Sequence, residues 1–240
     1  MKSKKIMPEA IRLIVFDWDG TLMDSETQIV HSMFGAIRDM QLESRTADEC
    51  RNIIGLGLKE AIDSLYPGRD EQFSRQFVDN YRQHWFAQAN DSELFPGARE
   101  TLLLLREAGF ELAIATGKGR TGLERVLKHT ELESMFSVTR CSDETRSKPH
   151  PQMLEEILQE TGVEAENTLM VGDTEYDMNM AIQAGVHPVA VSYGVHERGR
   201  LMAHQPLTCL DTIGELVDWL AEQQLLDPEF IIQPSLLAAD

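Results

Sequence analysis

Cysteine is scarce in this 240-residue chain: Cys50, Cys141 and Cys209 are odd in number and far apart. That spacing shows neither a disulfide framework nor a zinc-ligand grouping, so the three read as packing residues in a reducing compartment. Long apolar runs are missing as well. The densest, Leu102 to Leu105, falls far short of the roughly eighteen residues of a membrane-spanning helix. Positive charge is thin: 22 Lys and Arg stand against 40 Asp and Glu, a formal net charge of −18. Nucleic acid and anionic membrane are poor partners for such a polyanion, because phosphate attraction needs clustered Lys and Arg. The opening MKSKKIMPEA is basic but lacks the apolar stretch and cleavage site of a signal peptide, which gives a cytoplasmic expectation. Internal repeats and low-complexity runs are absent too.

What is present is an ordinary globular composition, 42% hydrophobic and 26% charged. Residues 11–16 read as a short buried strand. From about 25 to 90 the pattern is helical, in four pieces broken at Gly55-Leu56-Gly57 and at Pro67-Gly68, with Ser25 a plausible N-cap. The last piece carries Phe73, Phe77, Tyr81 and Trp85 at steps of four, a stripe that reads as bundle core. After Phe95-Pro96-Gly97 the grammar changes. Strands near 111–115, 135–138, 168–171 and 188–191 alternate with helices at 98–108, 120–130, 150–161, 175–184 and 212–224. The expected fold class is α/β: a three-layer, Rossmann-like parallel sheet core with an inserted helical-bundle cap. Residues 1–21 and 93–225 form the core, 22–92 the cap, and 226–240 an irregular tail. In the tail, Phe230, Ile231 and Ile232 pack on the core or on a partner subunit.

Ligands of such sheets sit beyond the carboxyl ends of the strands, and four stretches there carry chemistry. Asp17-Trp18-Asp19-Gly20-Thr21 places two carboxylates on one side of an extended backbone. They repel unless a cation lies between them or one stays protonated; otherwise the stretch is a solvated Asx turn. Thr116-Gly117-Lys118 offers a hydroxyl and accessible amides to an anion, or is merely a turn. Lys148, in Ser147-Lys148-Pro149-His150-Pro151, lies just before a helix, as a ligand group or a surface lysine; His150 reads as a local loop or cap residue. Asp173 and Asp177 are one helical turn apart and can face one spot, with Asp173 also a candidate N-cap. Together these carboxylates supply hard oxygen ligands that suit Mg²⁺, and the donors suit a phosphoryl group.

With these motifs in order, residues 11–224 resemble the haloacid dehalogenase superfamily. They resemble most its branch of phosphoglycolate phosphatases, β-phosphoglucomutases and related phosphatases with a helical cap. The resemblance implies that Asp17 is the nucleophile forming an aspartyl-phosphate, and that Asp19 is the acid and then the base. It implies Mg²⁺ held by Asp17, the Asp19 backbone carbonyl and Asp173, with Asp177 in or next to the shell. Thr116, Gly117 and Lys148 would hold the phosphoryl oxygens. Substrate choice would lie in the cap loop from Gly55 to Lys59 and in Met23 to Glu26. A Mg²⁺-dependent phosphatase for a small phosphorylated metabolite, phosphoglycolate being one candidate, is the resulting expectation, as monomer or homodimer. A phosphomutase, lowered by apolar Leu58 ahead of Lys59, and a silent binding protein on the same fold are the alternatives.

Overall fold

The computed structural model describes residues 10–88 and 92–226; the expected tail beyond 226 lies outside the described residues. Six parallel strands form one sheet in the order β3-β2-β1-β4-β5-β6. They are β1 Leu13–Phe16, β2 Glu111–Thr116, β3 Val138–Cys141, β4 Thr168–Gly172, β5 His187–Val191 and β6 Cys209–Leu210. The chain leaves β1 toward β2 and β3, then returns to place β4 on β1's other side. The resulting crevice, between the carboxyl ends of β1 and β4, is where a doubly wound sheet takes its ligand.

All four residues of β1, Leu-Ile-Val-Phe, are buried, as expected for a central parallel strand covered on both faces. Its alternation divides the core. Ile14 and Phe16 join Leu102, Leu105, Leu123 and Leu216 on one face. Leu13 and Val15 join Met153, Leu154, Ile157 and Met180 on the other. The first set comes from α5 Ala98–Glu107, α6 Arg120–Thr130 and α10 Glu215–Glu222, the second from α7 Gln152–Thr161 and α8 Glu175–Ala184. Helix, sheet and helix give the three layers. A further short helix, α9 Arg198–Met202, follows β5.

Between β1 and α5 the chain builds α1 Glu26–Asp39, α2 Ala47–Asn52, α3 Leu58–Leu65 and α4 Glu71–Ala87. These enclose an apolar cluster of their own, including Ile29, Met33, Ile37, Ile62 and Phe77. Leu22 and Met23 instead pack with the sheet-side cluster, and Met23 bridges Leu94 where the chain comes back. Among the described residues no helix is long and apolar enough to cross a membrane.

One element differs from the sequence expectation. The strand expected near 135–138 is a short 3-10 turn, Glu133–Met135, with β3 beginning at Val138. β3 is an edge strand whose middle residues Thr139 and Arg140 are half-buried, so apolar alternation does not mark it. The α4 aromatic stripe packs in the bundle as expected: Phe73, Phe77, Tyr81 and Trp85 all belong to its apolar cluster, and Tyr81 and Trp85 line a cavity as well.

Candidate active site

The β-sheet register brings the functional side chains together. Phe16 pairs with Ile114 on one side and Val171 on the other, and the Asp17 amide donates to the Val171 carbonyl at 2.9 Å. Asp17 thus leaves β1 level with Thr116 at the end of β2 and with Gly172-Asp173 at the end of β4. Gly20 then turns the chain at φ +87°, a left-handed conformation in which a side chain would be strained and would strike Asp173. The turn returns Thr21 to the site, where its hydroxyl donates to Asp173 Oδ1 at 2.9 Å. The Val195 amide donates to Asp173 Oδ2 at 2.8 Å.

Asp17, Asp173 and Asp177 are all buried, and one carboxylate oxygen from each lies within 4.8 Å of the others. At an effective dielectric near 20, each such pair repels by about 3 kcal/mol. Lys148 answers part of that charge: its Nζ lies 2.6 Å from Asp17 Oδ1 and 2.6 Å from Asp177 Oδ1. Three carboxylates against one ammonium still leave a negative excess. Burial, with the Asp177 and Asp173 charges adding and Lys148 opposing, pushes the Asp17 carboxyl well above its ordinary value. Burial and the Asp177 charge lift Asp173 to about 7. Burial pulls Lys148 down, but Asp17 and Asp177 outweigh it and hold the ammonium charged. A divalent cation would cancel the remaining two negative charges, and Asp17 Oδ2 is a buried acceptor with no hydrogen-bond donor. All the candidate ligand atoms are hard carboxylate oxygens. The cluster therefore fits a divalent metal.

Asp19 faces elsewhere. Ser25 Oγ donates to its Oδ1 at 2.6 Å, and Lys118 Nζ lies 3.0 Å from the same oxygen. Lys118 also stands 4.4 Å from the centroid of the Trp85 ring of α4, so it joins the sheet to the helical layer. Thr116 is fully buried and its Oγ1 accepts from the Lys118 amide at 3.1 Å. Asp17 and Asp19 lie at the base of a cavity of about 480 Å³, with Gly55, Lys59 and Gly117 also on its wall.

The loop between α2 and α3 closes one side of this cavity. A Cβ on Gly117 would stand 2.6 Å from the carbonyl oxygens of Gly55 and Leu56, so only glycine permits this approach. The Gly57 amide donates to Ser147 Oγ at 2.7 Å, next to Lys148. Farther round, Tyr176 donates its hydroxyl to the Asn52 carbonyl at 2.8 Å, and Arg200 bonds the Asn52 side chain.

Every residue singled out from sequence is therefore at or beside this crevice, with two changes of detail. Asp173 does not cap α8. Thr174 does, in a capping box with Asp177, whose Oδ2 accepts from the Thr174 amide at 3.0 Å and hydroxyl at 2.6 Å. Asp173 is thereby free to point into the crevice, where Thr21 and Val195 hold it. Ser25 begins α1 but makes no capping bond; its hydroxyl donates to Asp19 instead. His150 is local, accepting from the Gln152 amide at 3.2 Å. Lys118, Thr21, Tyr81 and Trp85 were not assigned to the site by sequence, and Ser25 only as part of the Met23 to Glu26 segment. Lys118 had a signal, standing directly after Thr116-Gly117; the facing of Tyr81 and Trp85 depends on how α4 packs and had none.

The family model described as haloacid dehalogenase-like hydrolase matches residues 14–191. A protein of Dickeya dadantii named "Probable phosphatase IndB" is 35% identical over 211 residues, 85% of this chain and 91% of that one. A phosphoglycolate phosphatase of Aliivibrio fischeri is 31% identical over 209 residues, 83% of this chain and 92% of its own. The solved structure of a hydrolase from Pseudomonas syringae superposes with a TM-score of 0.81 at 22% identity, over 88% of this chain and 98% of that one. That likeness concerns the fold. By the family match and the relatives, the chain belongs to the haloacid dehalogenase-like hydrolases.

Proposed function

We propose that the protein is a Mg²⁺-dependent phosphatase that hydrolyses a small phosphate monoester through an aspartyl-phosphate on Asp17. The observation that carries this reading is the buried trio Asp17, Asp173 and Asp177 bridged by Lys148, at the carboxyl end of the sheet. The phosphatase names of relatives over more than four-fifths of the chain support the reaction class. The net charge of −18 supports a small molecule over nucleic acid as partner.

In this reading α1–α4 form a cap over the core, and the Gly55 to Lys59 loop meets the substrate. Asp17, Asp173 and the Asp19 backbone carbonyl hold the cation, with Asp177 beside it. When bound, Mg²⁺ supplies Lewis-acid polarisation of a phosphoryl oxygen. Asp17 Oδ2, which has no donor in the structure, attacks phosphorus, and the alkoxide leaves toward Asp19. Ser25 and Lys118 both engage Asp19 Oδ1, which leaves Oδ2 as the oxygen that passes the proton. Asp19 then accepts a proton from the water that opens the aspartyl-phosphate. Thr116, the Gly117 amide and the Lys148 ammonium bind the phosphoryl oxygens, so that positioning and charge stabilisation do most of the work.

Release of inorganic phosphate from p-nitrophenyl phosphate and a panel of phosphorylated metabolites tests this. Turnover that requires Mg²⁺ and stops in excess chelator is expected; no turnover across the panel, or full rates with chelator, contradicts it.

A further inference from the structure

The cavity above Asp17 and Asp19 is far larger and more apolar than a two-carbon phosphate ester requires. Its volume of about 480 Å³ falls within the roughly 300 to 1,000 Å³ of sites for drug-sized ligands. Its wall opposite the carboxylates is Met33, Ile54, Leu56, Val78, Tyr81 and Trp85. The last two, at i and i+4 on α4, have nearly parallel rings, 19° apart with centroids 6.2 Å apart. Phe86, one of three large apolar side chains exposed among the described residues (39%), belongs to the same wall, with the Arg125 guanidinium carbon 5.0 Å from its ring centroid. Apolar surface kept open beside a reactive centre marks a ligand contact.

Polar groups line the rest of the chamber, Glu60, Thr121, Ser142 and Asp143 among them. Tyr81 and Trp85 both line the chamber, and neither the Tyr81 hydroxyl nor the Trp85 indole N–H has a hydrogen-bond partner among the described residues. Burial, with the Asp19 charge adding, raises the Tyr81 phenol above its usual value, so it remains a donor. Three cations also border the chamber. Lys118 is committed to Asp19 and to the face of Trp85. Lys59 and Arg82 are solvent-exposed, where water weakens their hold on an anion. A short leaving group ending in a carboxylate would reach Lys118 only in competition with Asp19, and would leave the apolar wall uncovered.

We infer that the physiological substrate is the phosphate monoester of an alcohol bearing a flat apolar ring, aromatic or heteroaromatic, which lies against the Tyr81–Trp85 wall. This rests on the phosphatase reading and names its substrate class. A ring with acceptor atoms would use the Tyr81 and Trp85 donors; the phosphoryl end would reach Asp17 below.

The test compares phenylethyl phosphate with ethyl phosphate and phosphoglycolate under Mg²⁺. The two alkyl leaving groups are of similar reactivity, so their ratio reports the chamber rather than the chemistry. Wild type is expected to favour phenylethyl over ethyl phosphate in kcat/KM by more than about tenfold, the scale set by a single methylene in an apolar pocket. Trp85→Ala should collapse that ratio and Trp85→Phe should keep it. Leu56→Ser, a change in a loop rather than in a helix, should lower it independently. Equal rates on the two alkyl esters, or preference for phosphoglycolate, would overturn the inference and leave the phosphatase reading standing. An undiminished ratio in folded Trp85→Ala and Leu56→Ser would also overturn it. Hydrolysis of none of the three esters, nor of p-nitrophenyl phosphate, would overturn both together.

Discussion

Lys148 Nζ lies 2.6 Å from Asp17 Oδ1, with both side chains sealed from solvent. Lys148 offsets one of the three carboxylate charges of the crevice, and Asp177 shares the same ammonium at the same distance. Lys148→Met keeps much of the volume and removes the cation. Breaking a buried pair in this way costs about 3 kcal/mol or more, so the melting temperature of the metal-free variant falls clearly. With Mg²⁺ present, kcat drops by about a hundredfold, the scale of losing one charge-stabilising donor. Wild-type kcat in the variant would remove Lys148 from the catalytic account.

Divalent cation binding should depend on pH through Asp173. Its carboxyl sits at about 7 in the metal-free fold, above the unfolded value of about 3.9. The folded state therefore holds the extra proton, and this group's contribution to stability falls as pH rises from about 4 to about 7. A cation that binds the carboxylate must displace that proton. The rise in melting temperature on adding Mg²⁺ should accordingly grow from about pH 5.5 to about pH 8. A gain independent of pH over that range would contradict the protonated state of the cluster.

How much of this was readable beforehand follows from where each signal resides. Asp17 and Asp173 directly follow buried parallel strands, Thr116 ends one and Asp19 lies in the turn after β1; such strands announce themselves as apolar runs with a polar residue at the end. Lys148 was found by its Pro-rich setting, although its loop follows an edge strand, β3, that the sequence located a few residues too early. Trp85 shows the limit. Its spacing from Phe73, Phe77 and Tyr81 says that all four share a stripe on one helix, and nothing in that spacing says where bundle interior ends and cavity begins. The angle at which α4 crosses α1 decides it, through contacts distant in sequence. Asp173 shows another kind of limit. Two neighbouring residues, Asp173 and Thr174, can both cap a helix, and only the backbone reveals that Thr174 does.

Gly117 governs the approach of the α2–α3 loop. A methyl group there would lie 2.6 Å from the Gly55 and Leu56 carbonyl oxygens. Gly117→Ala should push the loop away, raising KM by about tenfold, the lower end of what misplaced pocket contacts cost. Amide hydrogen exchange over residues 53–58 should quicken at the same time. Unchanged exchange and KM would show that the loop is not seated on the sheet in solution.

Ser25 positions the second carboxylate, donating to Asp19 Oδ1 at 2.6 Å from the start of α1. A hydrogen bond to a charged acceptor contributes about 1.5 kcal/mol or more. Ser25→Ala should lower kcat by about tenfold, since each 1.36 kcal/mol is a decade in rate. KM should change little, because Ser25 does not line the cavity. A change confined to KM would place Ser25 in binding instead.

The most direct measurement of the central claim is a rapid-quench experiment with a phosphate ester carrying radiolabelled phosphorus, run on wild type and Asp17→Asn with Mg²⁺. Acid-stable label is expected on the peptide containing Asp17 in wild type and absent in the variant. The steady-state rate of the variant should fall by at least about a thousandfold. Wild-type turnover in Asp17→Asn, or label recovered on another residue, would contradict a nucleophilic role for Asp17.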